Sequence, residues 1–273
     1  MTKVVVLGST GMLGSAIGKY FQSKENYDTI LTYRNNKVAY GKNNIWFDAI
    51  DSALQKFANS DYIINCIGVI KPFIEDNKEH SIYLNSLFPY ELSSFCKKEN
   101  IRLIHITTDC VFSGMDGNYS ESSIHDALDF YGKSKSLGEP DNCMVLRTSI
   151  IGEELHNNVS LIEWVKSMKG QKVKGFTNHY WNGMTTNQYA KVCDQIIQQD
   201  LYAEDLFHLY SDTVNKFQLL QMISNSFDLG LTIDEFQTEN ICDRTLVSEK
   251  RLIESLNIDN LDVQIKDILN ERN

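Results

Sequence analysis

The stretch Val4-Val5-Val6-Leu7-Gly8-Ser9-Thr10-Gly11-Met12-Leu13-Gly14 decides the fold of this 273-residue chain. Its first four residues predict a short strand that is apolar on both faces, as the central strands of parallel sheets are. The three glycines then carry the chain through a tight turn into a helix. Leu13, Ile17 and Phe21 recur at fourfold spacing and mark the buried face of that helix.

A strand, a glycine-rich turn and the amino end of a helix together form a site for an anion. Unpaired N–H groups of the first helical turn point towards the ligand, and glycines lack the β-carbons that would keep a pyrophosphate away from the backbone. This arrangement is typical of the Rossmann fold and predicts a bound dinucleotide. The alternative is a plain strand-to-helix turn that binds nothing. The predicted cofactor contacts in the turn are Gly8, Ser9, Thr10, Gly11, Met12 and Leu13.

Composition narrows the class of protein. An apolar content of 42% and a net charge of −10 indicate a globular chain whose main partner is not nucleic acid, because phosphate contacts need a basic face. The six cysteines form no C-x-x-C pair, so we expect reduced thiols in a cytoplasmic protein and no metal site. The apolar run at the amino end stops at Leu7, and no stretch approaches the roughly 18 apolar residues of a membrane span.

Strands and helices alternate through the first half of the chain. The predicted strands cover 29–33, 45–47, 62–66, 103–106 and 144–146, and the helices between them include 51–58 and 79–98. Within the second of these helices, Pro89 should bend the helix or mark a start. Such alternation predicts an α/β fold with a doubly wound parallel sheet and right-handed crossovers.

Beyond Ser149 the predicted elements are smaller. Helices are expected at 161–168, 186–199, 215–227 and 248–268, with strands at 172–174 and 206–209. We therefore assign 1–149 and 173–200 to a Rossmann domain, and 150–172 and 201–273 to a smaller α+β substrate lobe. The lobe should cover the carboxyl edge of the sheet, where the ligand crevices of such sheets lie.

The end of the second strand predicts which dinucleotide is bound. An acidic residue there would accept from the ribose 2′-hydroxyl and repel a 2′-phosphate, whereas Arg34 does the opposite and favours NADP over NAD. A solvated loop arginine is the alternative, so NAD stays open. Asp48 follows the third strand and could meet an adenine amino group.

The segment Tyr131-Gly-Lys-Ser-Lys135 carries the candidate chemistry. On a helix the two residues share one face, and an ammonium beside a phenol should lower its pKa from about 10 towards neutral pH. The phenol would then exchange a proton with a carbonyl or an alcohol. Thr108, at the end of a neighbouring strand, could hold the same oxygen while a nicotinamide delivers hydride.

Three motifs together resemble the extended short-chain dehydrogenase/reductases, and most closely their dTDP-4-dehydrorhamnose reductase branch. They are Gly8-x-x-Gly11-x-x-Gly14, Thr107-Thr108-Asp109-Cys110-Val111-Phe112-Ser113-Gly114 and Tyr131-Gly-Lys-Ser-Lys135-x-x-Gly138-Glu139. Asn182-Gly183-Met184-Thr185-Thr186 and Asp243-Arg244-Thr245-Leu246 extend the resemblance into the carboxyl half. Two segments depart from that branch: Cys110 replaces an aromatic residue, and Asn65-Cys66-Ile67-Gly68 replaces Asn-Ala-Ala-Ala, which leaves the sugar and the base open.

The resemblance implies an NAD(P)H-dependent reductase of a nucleotide-linked 4-keto-6-deoxy sugar, acting in surface polysaccharide biosynthesis as a monomer or homodimer. It makes Tyr131 the proton donor, Lys135 its partner and ribose contact, and Thr108 the substrate-orienting hydroxyl, with Asp109 beside it. It further implies cofactor contacts from Cys66 and Gly68. The substrate contacts that it implies are Val111, Trp181, Asn182 and Arg244, the last facing the diphosphate.

Two other functions fit the same motifs. A nucleotide-sugar epimerase or dehydratase would hold NAD tightly and recycle the hydride, although a dehydratase is expected to carry a second acidic residue where Cys110 stands. A non-catalytic nucleotide-binding subunit, similar to the regulatory β subunit of methionine adenosyltransferase, would share most of the motifs. The Tyr131/Lys135 pair does not distinguish these readings.

Overall fold

The computed structural model describes residues 1–34, 43–156 and 159–270. Its strands are β1 (Thr2–Leu7), β2 (Tyr27–Tyr33), β3 (Asn44–Trp46), β4 (Tyr62–Asn65), β5 (Arg102–Thr108), β6 (Met144–Thr148), β7 (Ile150–Ile151), β8 (Lys172–Phe176), β9 (His179–Trp181), β10 (Met184–Thr185), β11 (Leu206–His208), β12 (Val214–Asn215), β13 (Thr232–Phe236) and β14 (Cys242–Asp243). Its helices are α1 (Met12–Gln22), α2 (Lys78–Ile82), α3 (Phe88–Glu99), α4 (Phe130–Ser136), α5 (Leu161–Ser167), α6 (Thr186–Gln198), α7 (Lys216–Ser226) and α8 (Leu261–Asn270).

A seven-stranded parallel sheet forms the centre of the molecule, in the order β11-β6-β5-β4-β1-β2-β3. Helices α1 and α6 cover one face, and α3 covers the other, so the central strands are buried on both sides. Val4, Val5, Val6 and Leu7 have no exposed surface at all. The predicted doubly wound α/β fold is confirmed.

The smaller elements pack against the carboxyl edge of this sheet. Three small sheets pair β7 with β10, β9 with β12 and β14, and β8 with β13. Helices α5, α7 and α8 share an apolar core with them, built around Ile162, Leu219, Ile223 and Ile265. None of the helices within the described ranges combines the length and the apolar composition that crossing a bilayer requires.

Four strands lie in other sheets than the predicted domain division gave them. β11, assigned to the lobe, is an edge strand of the large sheet. β8, β9 and β10, assigned to the Rossmann domain, all belong to the small sheets. The side chains explain the exchange, because Phe207 and His208 are buried while Lys172 and Lys174 are exposed. Elsewhere the division stays a prediction, and residues 35–42, 157–158 and 271–273 lie outside the described ranges.

The predicted helices differ from the structure in two places. The segment 51–58 forms only a 3₁₀ turn, Leu54–Phe57, and 248–268 divides into a 3₁₀ turn, Arg251–Ser255, followed by α8. The segment 79–98 is helical throughout, but a π-turn at Tyr83–Leu87 separates α2 from α3. Pro89 lies in the first turn of α3, as the sequence predicted, since a proline lacks the N–H that an uninterrupted helix would use there.

Candidate active site

A crevice of about 980 Å³ opens at the carboxyl ends of β1, β2, β4, β5 and β6. It brings together most of the residues that the sequence singled out, although their roles stay predictions. The predicted residues that line it are Gly8, Thr10, Gly11, Met12, Leu13, Arg34, Asp48, Cys66, Gly68, Thr108, Asp109, Tyr131 and Lys135. Ser9 is not among them: it is buried, and its hydroxyl donates to the carbonyl oxygen of Thr32 at 2.7 Å.

The glycine turn has the geometry that a diphosphate requires. Gly8 has a φ of +74°, and the Gly11 N–H donates to the Gly8 carbonyl at 3.0 Å. Helix α1 starts beyond Gly11 without a side-chain cap and without an acidic residue in its first turn. Its first N–H groups therefore face the crevice without competition from a carboxylate, and a phosphate fits there.

The second and third glycines of the turn should respond differently to a methyl group. A methyl group at position 14 would lie 2.2 Å from the Gly8 carbonyl oxygen, whereas a methyl group at position 11 would lie 3.4 Å from the same oxygen. We expect Gly14→Ala to cost about 1–3 kcal/mol of unfolding free energy because helix and turn must separate. Gly11→Ala, the matched control, should keep its stability in urea unfolding yet bind NADPH more weakly. Equal stabilities would contradict this packing.

One end of the crevice brings Arg34 close to Asp48. The Arg34 side chain is 52% exposed, and its Nη1 lies 3.9 Å from Asp48 Oδ2. The Arg34 carbonyl accepts from the indole of Trp46, and the Ile50 N–H donates to Asp48 Oδ1. Because the pair with Asp48 is long and exposed, the Arg34 guanidinium can turn towards a phosphate at the crevice mouth.

The pair Tyr131 and Lys135 lies on α4, opposite the carboxyl end of β5. Asp129 caps this helix by accepting from the Gly132 N–H at 2.8 Å. A methyl group on Gly132 would lie 2.2 Å from the Cys110 carbonyl oxygen, so only glycine allows α4 to pack this closely on the end of β5. The close packing brings Tyr131 next to the hydroxyl of Thr108.

The electrostatics of this pair contradict the predicted lowering of the tyrosine pKa. Burial raises the pKa of Tyr131, the Cys110 thiolate would raise it further, and the hydrogen bond with Thr108 opposes both effects only in part. Lys135 is itself buried, which lowers its pKa to about 8, and its Nζ donates to the Ile106 carbonyl at 3.2 Å. Tyr131 is therefore held as a protonated phenol, in the form that can donate.

Asp109 sits behind Thr108 and is only 3% exposed. The Thr108 hydroxyl donates to Asp109 Oδ1 at 3.1 Å and accepts from the Cys110 N–H at 3.2 Å. Burial raises the pKa of Asp109, whereas the charge of Arg244 and the bond from Thr108 lower it. Asp109 therefore orients Thr108 rather than facing open solvent.

Asn85, which sequence reasoning missed, connects the parts of the site. It lies in the π-turn with no exposed surface, and its amide exchanges hydrogen bonds of 2.8 and 3.0 Å with the backbone of Val69. Its Nδ2 also donates to Ser134 Oγ on α4 at 3.0 Å. Pro89 was the sequence signal for this π-turn, because a proline leaves the carbonyl one turn earlier without its usual donor. Since π-turns often mark functional sites, the residues of this turn were candidates.

Three of the four predicted substrate contacts lie away from the crevice. Val111 is completely buried beside Phe112, and Trp181 is 4% exposed. The Asn182 amide bonds both backbone groups of Leu246, at 2.8 and 2.9 Å, as a strand partner would. Packing explains these positions, so the prediction that the three bind substrate is not supported. Arg244 lies beside the crevice, where its Nε donates to the Phe112 carbonyl and its Nη2 to that of Ser113.

A family model described as the RmlD substrate binding domain matches residues 1–243. The chain belongs to this family. The predicted resemblance to the dTDP-4-dehydrorhamnose reductase branch of the extended short-chain dehydrogenase/reductases is thereby confirmed.

Solved structures of the family share the fold at low sequence identity. A hypothetical dTDP-4-dehydrorhamnose reductase from Sulfolobus tokodaii is 22% identical, with a TM-score of 0.76 over 95% of this chain and 96% of that one. The dTDP-4-dehydrorhamnose reductase from Bacillus anthracis, solved in complex with NADP, is 16% identical, with a TM-score of 0.80 over all of both chains.

Curated relatives include a methionine adenosyltransferase subunit and a probable reductase. Methionine adenosyltransferase 2 subunit beta from Danio rerio is 26% identical over 245 residues, which cover 83% of this chain and 74% of that protein. A probable low-salt glycan biosynthesis reductase from Haloferax volcanii is 26% identical over 227 residues, which cover 76% and 74%.

Proposed function

We propose that this protein is an NADPH-dependent reductase of a nucleotide-linked 4-keto-6-deoxy sugar. Its setting would be the biosynthesis of surface polysaccharide in the cytoplasm, and it would act as a monomer or homodimer. The observation that carries the proposal is the meeting of the glycine turn, Thr108, Tyr131 and Lys135 in one crevice. Membership of the family and the NADP complex of the Bacillus anthracis relative support it.

Each part of the crevice has a task in cofactor binding. The first turn of α1 would hold the diphosphate, and Arg34 the 2′-phosphate that distinguishes NADPH from NADH. Lys135, 5% exposed at the base of the crevice, would contact the nicotinamide ribose. When bound, NADPH supplies the hydride that reduces the sugar carbonyl at C4.

The chain itself supplies the proton. Tyr131, kept protonated by burial, would donate to the carbonyl oxygen as negative charge develops on it. Thr108 would orient the same oxygen by turning its one hydroxyl proton, which it donates to Asp109 in the structure, towards that oxygen. The Lys135 ammonium stabilises the phenolate that remains after the transfer.

A panel of dTDP-, UDP-, GDP- and CDP-linked 4-keto-6-deoxy sugars tests the proposal directly. Loss of NADPH absorbance should follow addition of at least one of them, and NADH should be a poorer donor. Purified protein that binds NADPH but oxidises it with none of these sugars would refute the reductase assignment.

The pKa of Lys135 sets an expected pH dependence. With a pKa of about 8, the ammonium is lost as the pH rises, while Tyr131 keeps its proton. We therefore expect kcat/KM to be constant at neutral pH and to fall above about pH 8. Because arginine stays protonated, Lys135→Arg should be less active but lack this decline. A wild-type profile that is flat to pH 10 would contradict the assignment.

A second candidate, a regulatory nucleotide-binding subunit, is favoured by the similarity to methionine adenosyltransferase 2 subunit beta. It predicts NADP binding without turnover of any ketosugar. An epimerase or dehydratase would instead copurify with NAD and consume no NADPH. Cofactor release on denaturation, followed by chromatography, separates the epimerase or dehydratase from the reductase, and the ketosugar panel separates the regulatory subunit.

A further inference from the structure

A side pocket of about 90 Å³ adjoins the crevice, and Cys110 lines both cavities. The volume is several times the space that a buried water needs, so the pocket can take a small chemical group. A substituent on the sugar bound at Tyr131 would reach it past the Cys110 side chain.

The walls of the side pocket combine one cation, one carboxylate and apolar surface. Arg244 uses two of its five N–H donors on the carbonyls of Phe112 and Ser113. Within the described ranges no carboxylate lies at ion-pair distance from its guanidinium, so the other donors remain for a ligand. Asp129 accepts from Gly132 and Lys71 and can still accept another bond. Apolar surface comes from the half-buried Ala127 and the exposed Leu128, whereas Phe112 is fully buried.

We infer that the side pocket binds an N-acetyl group on the substrate sugar, an inference that rests on the proposed reductase function. The acetamido carbonyl would accept from Arg244, its N–H would donate to Asp129, and its methyl group would pack against the apolar wall. A hydroxyl has no methyl group to place against Ala127, and a carboxylate has no N–H to donate to Asp129. Of these three groups, only the acetamido group meets the donor, the acceptor and the apolar wall together.

The substrate class is therefore a 2-acetamido-2,6-dideoxy-4-keto sugar nucleotide. For the wild-type protein, we expect kcat/KM to be at least tenfold higher with the UDP-linked 2-acetamido ketosugar than with its 2-hydroxyl counterpart, because unpaired polar groups penalise the latter. Equal values, or a preference for the hydroxyl sugar, would overturn the inference.

Two substitutions that fill the side pocket test its role in choosing between the two sugars. Cys110→Leu narrows its mouth and Ala127→Val occupies the methyl position. Each should remove the preference by lowering kcat/KM for the acetamido sugar, with a smaller change for the hydroxyl sugar. An equal loss with both sugars in a variant that unfolds at the wild-type temperature would contradict the inference. If one variant fails to fold, the other gives the answer.

Measurements of sugar-nucleotide affinity test this inference independently of the reductase proposal. UDP-N-acetylglucosamine and UDP-glucose carry no ketone, so calorimetry on the NADP-loaded protein measures affinity without turnover, and the corresponding dTDP sugars cover the other base. A tenfold preference for the N-acetylated sugar supports the side pocket even if no ketosugar is reduced. Equal affinities, or no binding of either pair, overturn it.

Discussion

Replacing Tyr131 by phenylalanine is expected to lower kcat by about 10²–10⁴-fold, the range that a positioned proton donor contributes. The variant loses only the phenolic oxygen, next to the Thr108 hydroxyl at the end of β5. The neighbouring Thr108 is not a comparable donor, because an aliphatic hydroxyl is far less acidic than a phenol. Stopped-flow measurement of NADPH oxidation in a single turnover would locate the loss in the chemical step.

Cofactor affinity is the control for this variant. The glycine turn and Arg34 lie apart from the phenolic oxygen, so the Kd of NADPH should stay within about threefold of the wild-type value, well under 1 kcal/mol. Tyr180→Phe removes the same atom from a tyrosine that lies outside the crevice, and it should keep full activity. A Tyr131→Phe variant that retains more than a tenth of the wild-type turnover would rule out Tyr131 as the proton donor.

Local sequence patterns were sufficient to predict the fold and the glycine turn that opens the crevice. Four apolar residues followed by Gly8, Gly11 and Gly14 determine a buried strand, a turn with positive φ and a close helix contact. Each of these depends on residues within a few positions of one another. The same holds for Tyr131 and Lys135, which one helical turn brings to the same face.

The positions of the predicted substrate contacts depend on packing between distant segments, which a single sequence does not reveal. The family resemblance implied that Asn182 binds substrate, but it bonds the backbone of Leu246, 64 positions away. The direction of the Tyr131 pKa shift was wrong for a similar reason. Spacing showed the lysine one turn away, but the burial that dominates the pKa of Tyr131 arises from the assembled crevice.

A buried ion pair beneath the active site gives the largest expected effect on stability. Arg147 is 1% exposed, and its Nε and Nη2 donate to the two carboxylate oxygens of Glu139 at 3.1 and 2.6 Å. Its remaining donors reach His208 Nε2 and His125 Nε2, both at 2.7 Å. Because arginine always donates, both imidazoles accept as neutral rings, and burial beside Arg147 lowers the pKa of His208 to about 4.

Glu139→Ala should therefore cost about 3–5 kcal/mol of unfolding free energy, since it leaves the guanidinium buried without a counter-charge. The matched control is Asp234→Ala, which breaks the exposed pair between Lys172 Nζ and Asp234 Oδ2 at 2.7 Å. That loss should be below about 1 kcal/mol, because solvent screens exposed pairs. Urea unfolding of both variants measures the difference directly.

Removing both charges shows whether the unpaired charge or the cavity causes the loss of unfolding free energy in Glu139→Ala. The double variant Glu139→Leu, Arg147→Met replaces the pair with apolar groups of similar size and should be more stable than Glu139→Ala. Recovery should be incomplete, because His125 and His208 lose the donor that each accepts from. If the double variant is no more stable than the single one, lost packing and not the unpaired guanidinium dominates. In that case Gly138-Glu139, at the end of the motif that begins with Tyr131, would stabilise the fold by packing alone.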